Sequence, residues 1–386
     1  MSNKFNIPGS IYYGENALRD AAEQLSALGK KALIVTDKEM LRLGSLRRVA
    51  GTLDDIGMGY AIFDGVDHEP TTDIVDQGAE SYKSNKCDFL IGLGGGSPID
   101  TMKAIAAVAA LDKNISDLYG KDIQGGLPTT VAIPTTAGTG SEVTQFTIIT
   151  DSKAGIKMLL KGLCLIPDIA IVDYTFTLSA PPSLTAFTGL DALCHAVEAY
   201  SSRKAQPLSD IFALSAIKRI TSSLPIAYAN PGDIGARQQM ALAATEAGIA
   251  FSNSSVTVIH GMSRPIGALF HVPHGLSNAL LMERCLYYIK VAATARFAEI
   301  ARHCGIAETG LADEYAASLF LQNIRSMVKA LNVPDLAGCK IDKEEFIRQT
   351  PKMSKDAMAS GSPGNTLMDL TQQDLITIYH SLWQGT

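Results

Sequence analysis

The stretch Asp88-Phe89-Leu90-Ile91-Gly92-Leu93-Gly94-Gly95-Gly96-Ser97-Pro98-Ile99-Asp100, running on into Thr101-Met102-Lys103-Ala104-Ile105-Ala106, sets the frame of the chain. Its first part is an unbroken apolar run of strand length, and its last part has the composition of a helix. Three glycines separate the two. A strand that turns on glycines into a helix lets the backbone pass close to a diphosphate. The helix then points its unpaired N–H groups and positive dipole end at that ligand, and Ser97 adds a hydroxyl donor. The plain alternative is a tight strand-to-helix turn with no ligand.

Similar apolar runs lie on both sides, at Ala32 to Val35, Tyr60 to Phe63, Thr130 to Ile133 and Ile169 to Val172. Runs that are continuous rather than alternating suit strands covered on both faces, as in a parallel α/β sheet. Helical patterns fall between them, at Glu39 to Leu53 and Thr72 to Ser84. On this reading the glycine turn follows the third strand, so it is not the usual first-loop dinucleotide fingerprint. Asp37 ends an earlier strand. A carboxylate there accepts from ribose hydroxyls and repels a 2′-phosphate, which favours NAD over NADP; its alternative role is a helix N-cap. Ile133-Pro134-Thr135-Thr136-Ala137-Gly138-Thr139-Gly140-Ser141-Glu142 is a second small-residue loop, rich in hydroxyls. Alone it reads equally as a plain turn. Two such loops at strand ends point to a phosphate or nicotinamide ribose.

Near Pro181-Pro182 the texture changes. Segments such as Leu184 to Ser201, Pro207 to Ile220, Arg237 to Phe251, Ile289 to His303 and Ala312 to Ala330 carry helical spacing with almost no β-branched runs. The expected division is therefore an α/β domain over 1–180 and an all-helical domain over 181–386. Within the second, Asp191 and His195 are four residues apart, one turn along a helix face, and Glu198 is a further turn along it. A satisfied Asp–His pair is the ordinary explanation. His260, His271 and His274, however, put three of the seven histidines within 15 residues. One carboxylate with three imidazoles makes a four-donor set suited to Fe²⁺, Zn²⁺ or another divalent ion.

Composition narrows the classes. The chain has 386 residues, 46% hydrophobic and 19% charged, with a formal net charge of −6 and no long block of Lys or Arg. That fits a packed globular protein of two domains and disfavours a nucleic-acid partner. No signal-peptide core and no run of about 18 apolar residues is present, so neither export nor a membrane span is expected. The six cysteines are scattered, none in a CxxC, as in a reduced cytoplasmic protein.

Taken together, these motifs closely resemble the iron-containing (group III) alcohol dehydrogenases. The matches are Gly94-Gly95-Gly96-Ser97 with Asp100 and Lys103, Pro134 through Glu142, Gly189-Leu190-Asp191 with His195 and Glu198, His260-Gly261-Met262, and Pro273-His274-Gly275. Thr36-Asp37 matches the family's strand end. The resemblance implies an N-terminal Rossmann-like, nucleotide-binding α/β domain and an all-α, metal-binding C-terminal domain, the dehydroquinate synthase-like architecture. It implies metal ligands at Asp191, His195, His260 and His274, and NAD contacts at Asp37, Gly94, Gly95, Gly96, Ser97, Asp100, Thr135, Thr136 and Thr139. Lys157 looks like the family lysine near the nicotinamide ribose, with a surface lysine as the alternative. Phe251 looks like a pocket-lining residue, or a core Phe. The implied reaction is hydride transfer between a small alcohol or aldehyde and nicotinamide C4, with a divalent metal, Fe²⁺ foremost, as Lewis acid, in a homodimer or larger homo-oligomer.

One position departs from the pattern. Several relatives carry a histidine four residues after the HGM histidine, in a proton-transfer role; here the residue is Arg264. His271 is the candidate substitute. Arg264 either pairs with an anionic aldehyde (a carboxylate, sulfonate or phosphonate) or makes an internal salt bridge. Two other readings differ in class. One is a dehydroquinate synthase-like lyase, whose Glu/His/His site differs from the set here. The other is a non-catalytic filament or regulatory protein, against which the intact donor set argues.

Overall fold

A computed structural model describes residues 2–67 and 69–384. They divide into two compact units, one from Asn6 to Ala180 and one from Pro181 onward that also takes in the N-terminal residues up to Phe5.

The first unit is built on a parallel six-stranded sheet in the order β1-β8-β5-β4-β2-β3. The strands are β1 (Ser10–Tyr13), β2 (Lys31–Val35), β3 (Gly59–Phe63), β4 (Phe89–Gly94), β5 (Thr130–Pro134) and β8 (Ile169–Val172). The helices are α1 (Ala17–Asp20), α2 (Ala22–Ser26), α3 (Lys38–Arg42), α4 (Ser45–Asp55), α5 (Thr72–Ser84) and α6 (Gly96–Leu111). Alternate residues of a strand face opposite sides, and both sides here are covered. Leu33, Val35 and Leu90 pack with Val75 of α5 and Ile99, Met102 and Ile105 of α6. Ala32, Ile34, Phe89 and Ile91 pack with Leu18, Leu25, Val49 and Leu53 on the other face. This double burial explains the unbroken apolar runs.

Three features differ from the sequence expectation. β1 precedes the others, so the glycine turn follows the fourth strand in chain order. An antiparallel hairpin, β6 (Phe146–Asp151) with β7 (Ile156–Lys161), stands beside the main sheet. The helix expected over residues 39–53 is two pieces, because Gly44 takes a left-handed conformation (φ 78°) between α3 and α4.

The second unit is helical, with α7 (Pro182–Tyr200), α8 (Pro207–Ala229), α9 (Ile234–Ser254), α10 (Val258–Phe270), α11 (His274–His303), α12 (Asp313–Ala330), α13 (Lys343–Ala359) and α14 (Gln372–Ser381). α7 is its axis: every residue from Gly189 to Tyr200 is buried, and α8, α9 and α11 all pack against it. A helix enclosed on all sides is apolar all round, so the charged and polar groups on α7 need partners inside the bundle. Among the described residues, no helix is long and apolar enough to cross a membrane.

Candidate active site

Three elements of the helical unit converge. α7 carries Asp191 and His195 one turn apart, α10 carries His260 in its first turn, and α11 begins with His274. Each offers one donor atom, and these atoms all lie within 4.8 Å of one another. Asp191 Oδ1 is 3.5 Å from His260 Nε2 and 3.7 Å from His274 Nε2. The rings of His195 and His260 stack at 4.4 Å. Phe251 of α9 covers the other face of His195, stacked at 4.2 Å and 15°, so the Phe expected to line a pocket does lie against a candidate ligand.

The approach of α11 to α7 depends on a missing side chain. A Cβ on Gly275 would stand 2.5 Å from the Phe187 carbonyl oxygen of α7. Only glycine lets the first turn of α11 lie this close, and that closeness brings His274 to Asp191.

Two further residues hold the donors: Asn278, which no motif in the sequence announced, and Glu198, which the sequence placed a further turn along the Asp191 face. Asn278, one turn after His274, donates from Nδ2 to Asp191 Oδ1 at 2.6 Å. The same nitrogen is 3.0 Å from His260 Nε2 and 3.2 Å from His274 Nε2, while Asn278 Oδ1 is buried with no hydrogen-bond partner among the described residues. Glu198, fully buried on α7, bonds His260 Nδ1 through Oε2 and the start of α10 through Oε1. Burial opposes a charged imidazole at His260, but Glu198 and Asp191 outweigh it and push its pKa up to about 9. Burial also raises the Asp191 carboxyl, and His195, His274 and His260 more than reverse this, holding it well below the carboxylate range. A carboxylate and three imidazole nitrogens facing one another in a buried space call for positive charge among them, supplied by protons on the rings or by a cation in their place. The donor set therefore fits a divalent cation.

In the α/β unit, the two small-residue loops leave the C-terminal ends of adjacent strands β4 and β5, and Asp37 follows the end of β2, the neighbour of β4. This is the edge where ligands of open parallel sheets bind. Gly94 takes φ +149° and Gly95 precedes α6 in an extended conformation. A Cβ on Gly96 would meet Thr139 Cγ2 at 2.9 Å, and Thr135 N–H donates to the Gly94 carbonyl at 2.9 Å. The two loops thus pack together, with residues 95–97 half-buried.

Asp37 is the N-cap of α3, its Oδ1 accepting from Met40 N at 2.9 Å, and partial burial raises its pKa. Asp100 turns both carboxylate oxygens inward, accepting from Ser141 Oγ and from Ile148 N. Lys103, buried one turn along, donates to the Thr144 and Phe146 carbonyls at 2.9 Å, and burial lowers its pKa to about 8. Both residues tie α6 to the threonine loop and the hairpin. Lys157 on β7 pairs with Glu69. Arg264, half-buried and one turn beyond His260, donates to Ser362 Oγ at 3.1 Å. His271 is exposed at the left-handed C-cap of α10 (φ 54°), where the chain turns toward α11.

Comparison with known proteins agrees with this geometry. The family "Iron-containing alcohol dehydrogenase" matches residues 8–174, and "Fe-containing alcohol dehydrogenase family, C-terminal" matches residues 185–383. The chain is 37% identical to the NAD-dependent methanol dehydrogenase of Bacillus methanolicus, over 96% of this chain and 98% of that protein. Among solved structures it is similar to a 1,3-propanediol oxidoreductase (TM-score 0.96, 32% identity, 99% and 100% of the two chains). It is also similar to the sulfoacetaldehyde reductase of Bifidobacterium kashiwanohense in complex with NAD⁺ (TM-score 0.88, 29% identity, 100% of each chain). A four-donor cluster on α7, α10 and α11, two loops at the sheet's C-terminal edge and matches along nearly the whole sequence lead to one conclusion: the chain belongs to the iron-containing alcohol dehydrogenases, a family of oxidoreductases.

Proposed function

We propose that the chain is an NAD(H)-dependent, divalent-metal-dependent alcohol dehydrogenase or aldehyde reductase acting on a small substrate. The observation that carries this is the convergence of Asp191, His195, His260 and His274 within 4.8 Å. A divalent cation held there would supply Lewis acidity toward a substrate oxygen, and a bound nicotinamide dinucleotide would supply the hydride acceptor or donor. The protein holds and orients. Asp191, His195, His260 and His274 are the cation's ligands, Asn278 holds Asp191, and Phe251 shields the His195 face from water. Gly94, Gly95, Gly96 and Ser97 admit the diphosphate of the cofactor to the start of α6, and Thr135, Thr136 and Thr139 offer the adjacent donors. Asp37 keeps the ribose role alongside its cap, while Asp100 acts by holding the threonine loop. Lys157 serves the nicotinamide ribose, and His271 is the candidate for carrying the proton outward. On this reading the α/β unit is the dinucleotide-binding domain and the helical unit the metal and substrate domain.

A second reading, reduction of an anionic aldehyde, is favoured by Arg264. It lies on α10 four residues after His260, so the two share a helix face, and the similar reductase named above acts on sulfoacetaldehyde. The lyase and non-catalytic readings lose ground to the family membership and the intact donor set. The six free thiols support a reducing, cytoplasmic setting, and we take the enzyme to be a homo-oligomer.

The test is substitution of His260 or His274 by Ala. Each variant is expected to lose tightly bound divalent metal and turnover of a small alcohol, while NAD⁺ still binds with near wild-type affinity. Full turnover by metal-free His260→Ala protein would refute the assignment.

A further inference from the structure

Glu198 stands behind the donor cluster, and its surroundings are unusual for a carboxylate. It is fully buried. Among the described residues, no lysine or arginine lies within ion-pair distance, and its ion-pair partner is the His260 ring. Its two oxygens have different work. Oε1 accepts from Thr257 N at 3.0 Å, Thr257 Oγ1 at 2.7 Å, Ile259 N at 2.7 Å and, more distantly, His260 N at 3.4 Å. Oε2 bonds His260 Nδ1.

The Oε1 contacts are those of a helix cap supplied from another helix: they satisfy the N–H groups that the first turn of α10 leaves without an intrahelical partner. Capping alone does not call for a buried charge. Elsewhere in this unit the caps of α9, α13 and α14 are Asp233, Asp342 and Thr371, none of them buried. Removing a carboxylate from water costs several kcal/mol. The Oε2 contact gives the charge a purpose. A carboxylate has no proton to give, so Nδ1 must be the donor, which leaves Nε2, 3.5 Å from Asp191 Oδ1, as the ring atom whose proton a cation would replace. A carboxylate behind the ring also makes Nε2 a stronger donor. The spacing on α7 completes the arrangement: Asp191, His195 and Glu198 follow at successive turns of one face.

We propose that Glu198 is a positioning residue of the metal site, which fixes His260 in the tautomer that presents Nε2 to the cation. This rests on the reading that Asp191, His195, His260 and His274 hold that cation.

Glu198→Gln separates the two oxygens. The amide oxygen still accepts from Thr257 and Ile259, so α10 keeps its anchor. The amide nitrogen now donates to Nδ1, which forces the neutral ring's proton onto Nε2, the atom that must ligate. Zn²⁺ affinity of metal-stripped full-length protein, measured by chelator competition, is expected to fall about 10- to 100-fold. NAD⁺ affinity and the Tm of the metal-free protein stay as in wild type. Thr257→Val is the companion: it removes one Oε1 contact without touching Oε2, and Zn²⁺ affinity should stay within about threefold of wild type, because the Oε2–Nδ1 contact that sets the tautomer is intact. Equal Zn²⁺ affinity in Glu198→Gln and wild type would overturn the proposal. So would a loss in Thr257→Val as large as in Glu198→Gln, because the effect would then run through the anchoring of α10. Failure of the underlying reading has a different signature: wild type and His260→Ala would bind Zn²⁺ alike.

Discussion

At the scale of single residues, the site depends on which atom of each side chain is left over once its neighbours are satisfied. Asp37 shows this on the nucleotide side. The sequence allows a helix cap, a ribose contact or both; the cap engages Oδ1 through Met40, and capping by one oxygen is compatible with a ribose contact by the same carboxylate. Arg264 shows it on the substrate side. Its Nη1 reaches Ser362 Oγ at 3.1 Å, and a guanidinium carries five N–H donors in a planar fork that matches a carboxylate or sulfonate. If that fork receives an anionic substrate, Arg264→Ala should raise KM for an anionic aldehyde about 10- to 100-fold, the worth of one charge-assisted hydrogen bond. A neutral aldehyde of the same length should change by less than about threefold. Paired steady-state kinetics on the two aldehydes decide the matter; equal losses would mean that Arg264 serves to tie α10 to Ser362. Glu198 marks the limit of sequence reading at this scale. Its place on the Asp191 face is visible from spacing, but its partners, Thr257 to His260, are 59 to 62 positions away, and no local pattern connects them.

At the scale of elements, the site is set by how closely helices approach. His274 meets Asp191 because α11 starts with its second residue, Gly275, against the α7 backbone. Gly275→Ala puts a methyl group 2.5 Å from the Phe187 carbonyl oxygen, where backbone rather than a flexible side chain must yield. Overpacking of this kind typically costs about 1–3 kcal/mol. The strain falls on the helix pair that carries three of the four donors, Asp191, His195 and His274. The variant should therefore lose metal affinity by at least tenfold along with stability, measured by Zn²⁺ competition and urea unfolding. Lost stability with unchanged metal affinity would show that the donors tolerate a shift of α11.

Elements also show what was legible. β2, β4, β5 and β8 could be read because burial on both faces writes an unbroken apolar run. β3 was also read, from the compact run Tyr60 to Phe63, although none of its residues is fully buried. β1, β6 and β7 were missed because polar residues interrupt or shorten their apolar character; in the hairpin the signal is alternation, which a search for continuous runs passes over. The break between α3 and α4 was missed because Leu43-Gly44 sits inside a periodic stretch, and a glycine there is as compatible with a helix interior as with a left-handed turn.

At the scale of the whole molecule, the four proposed ligands come from residues 191 to 274 of one unit, and every expected NAD contact comes from the other. Metal removal should therefore act on one unit. A ligand bound only by the folded state stabilises it by about 2.7 kcal/mol at a hundred times its dissociation constant, worth about 5–11 °C in Tm for a domain of this size. The chain carries its own reporter: its single tryptophan, Trp383, lies in the helical unit, edge-on to Phe346 at 5.9 Å. Thermal unfolding followed by Trp383 fluorescence should move down by about 5–11 °C when the protein is stripped by a chelator, and return on adding back Fe²⁺ or Zn²⁺. NAD⁺ added to metal-free protein should instead raise a transition seen by calorimetry while leaving the Trp383 midpoint where it is, provided the units unfold separately. If they melt together, both ligands should move one shared transition and their effects should add, since the two sets of contacts share no residue. A Trp383 transition indifferent to chelation and to added metal would mean that no cation is held by the folded helical unit, and the assignment of Asp191, His195, His260 and His274 would fall with it.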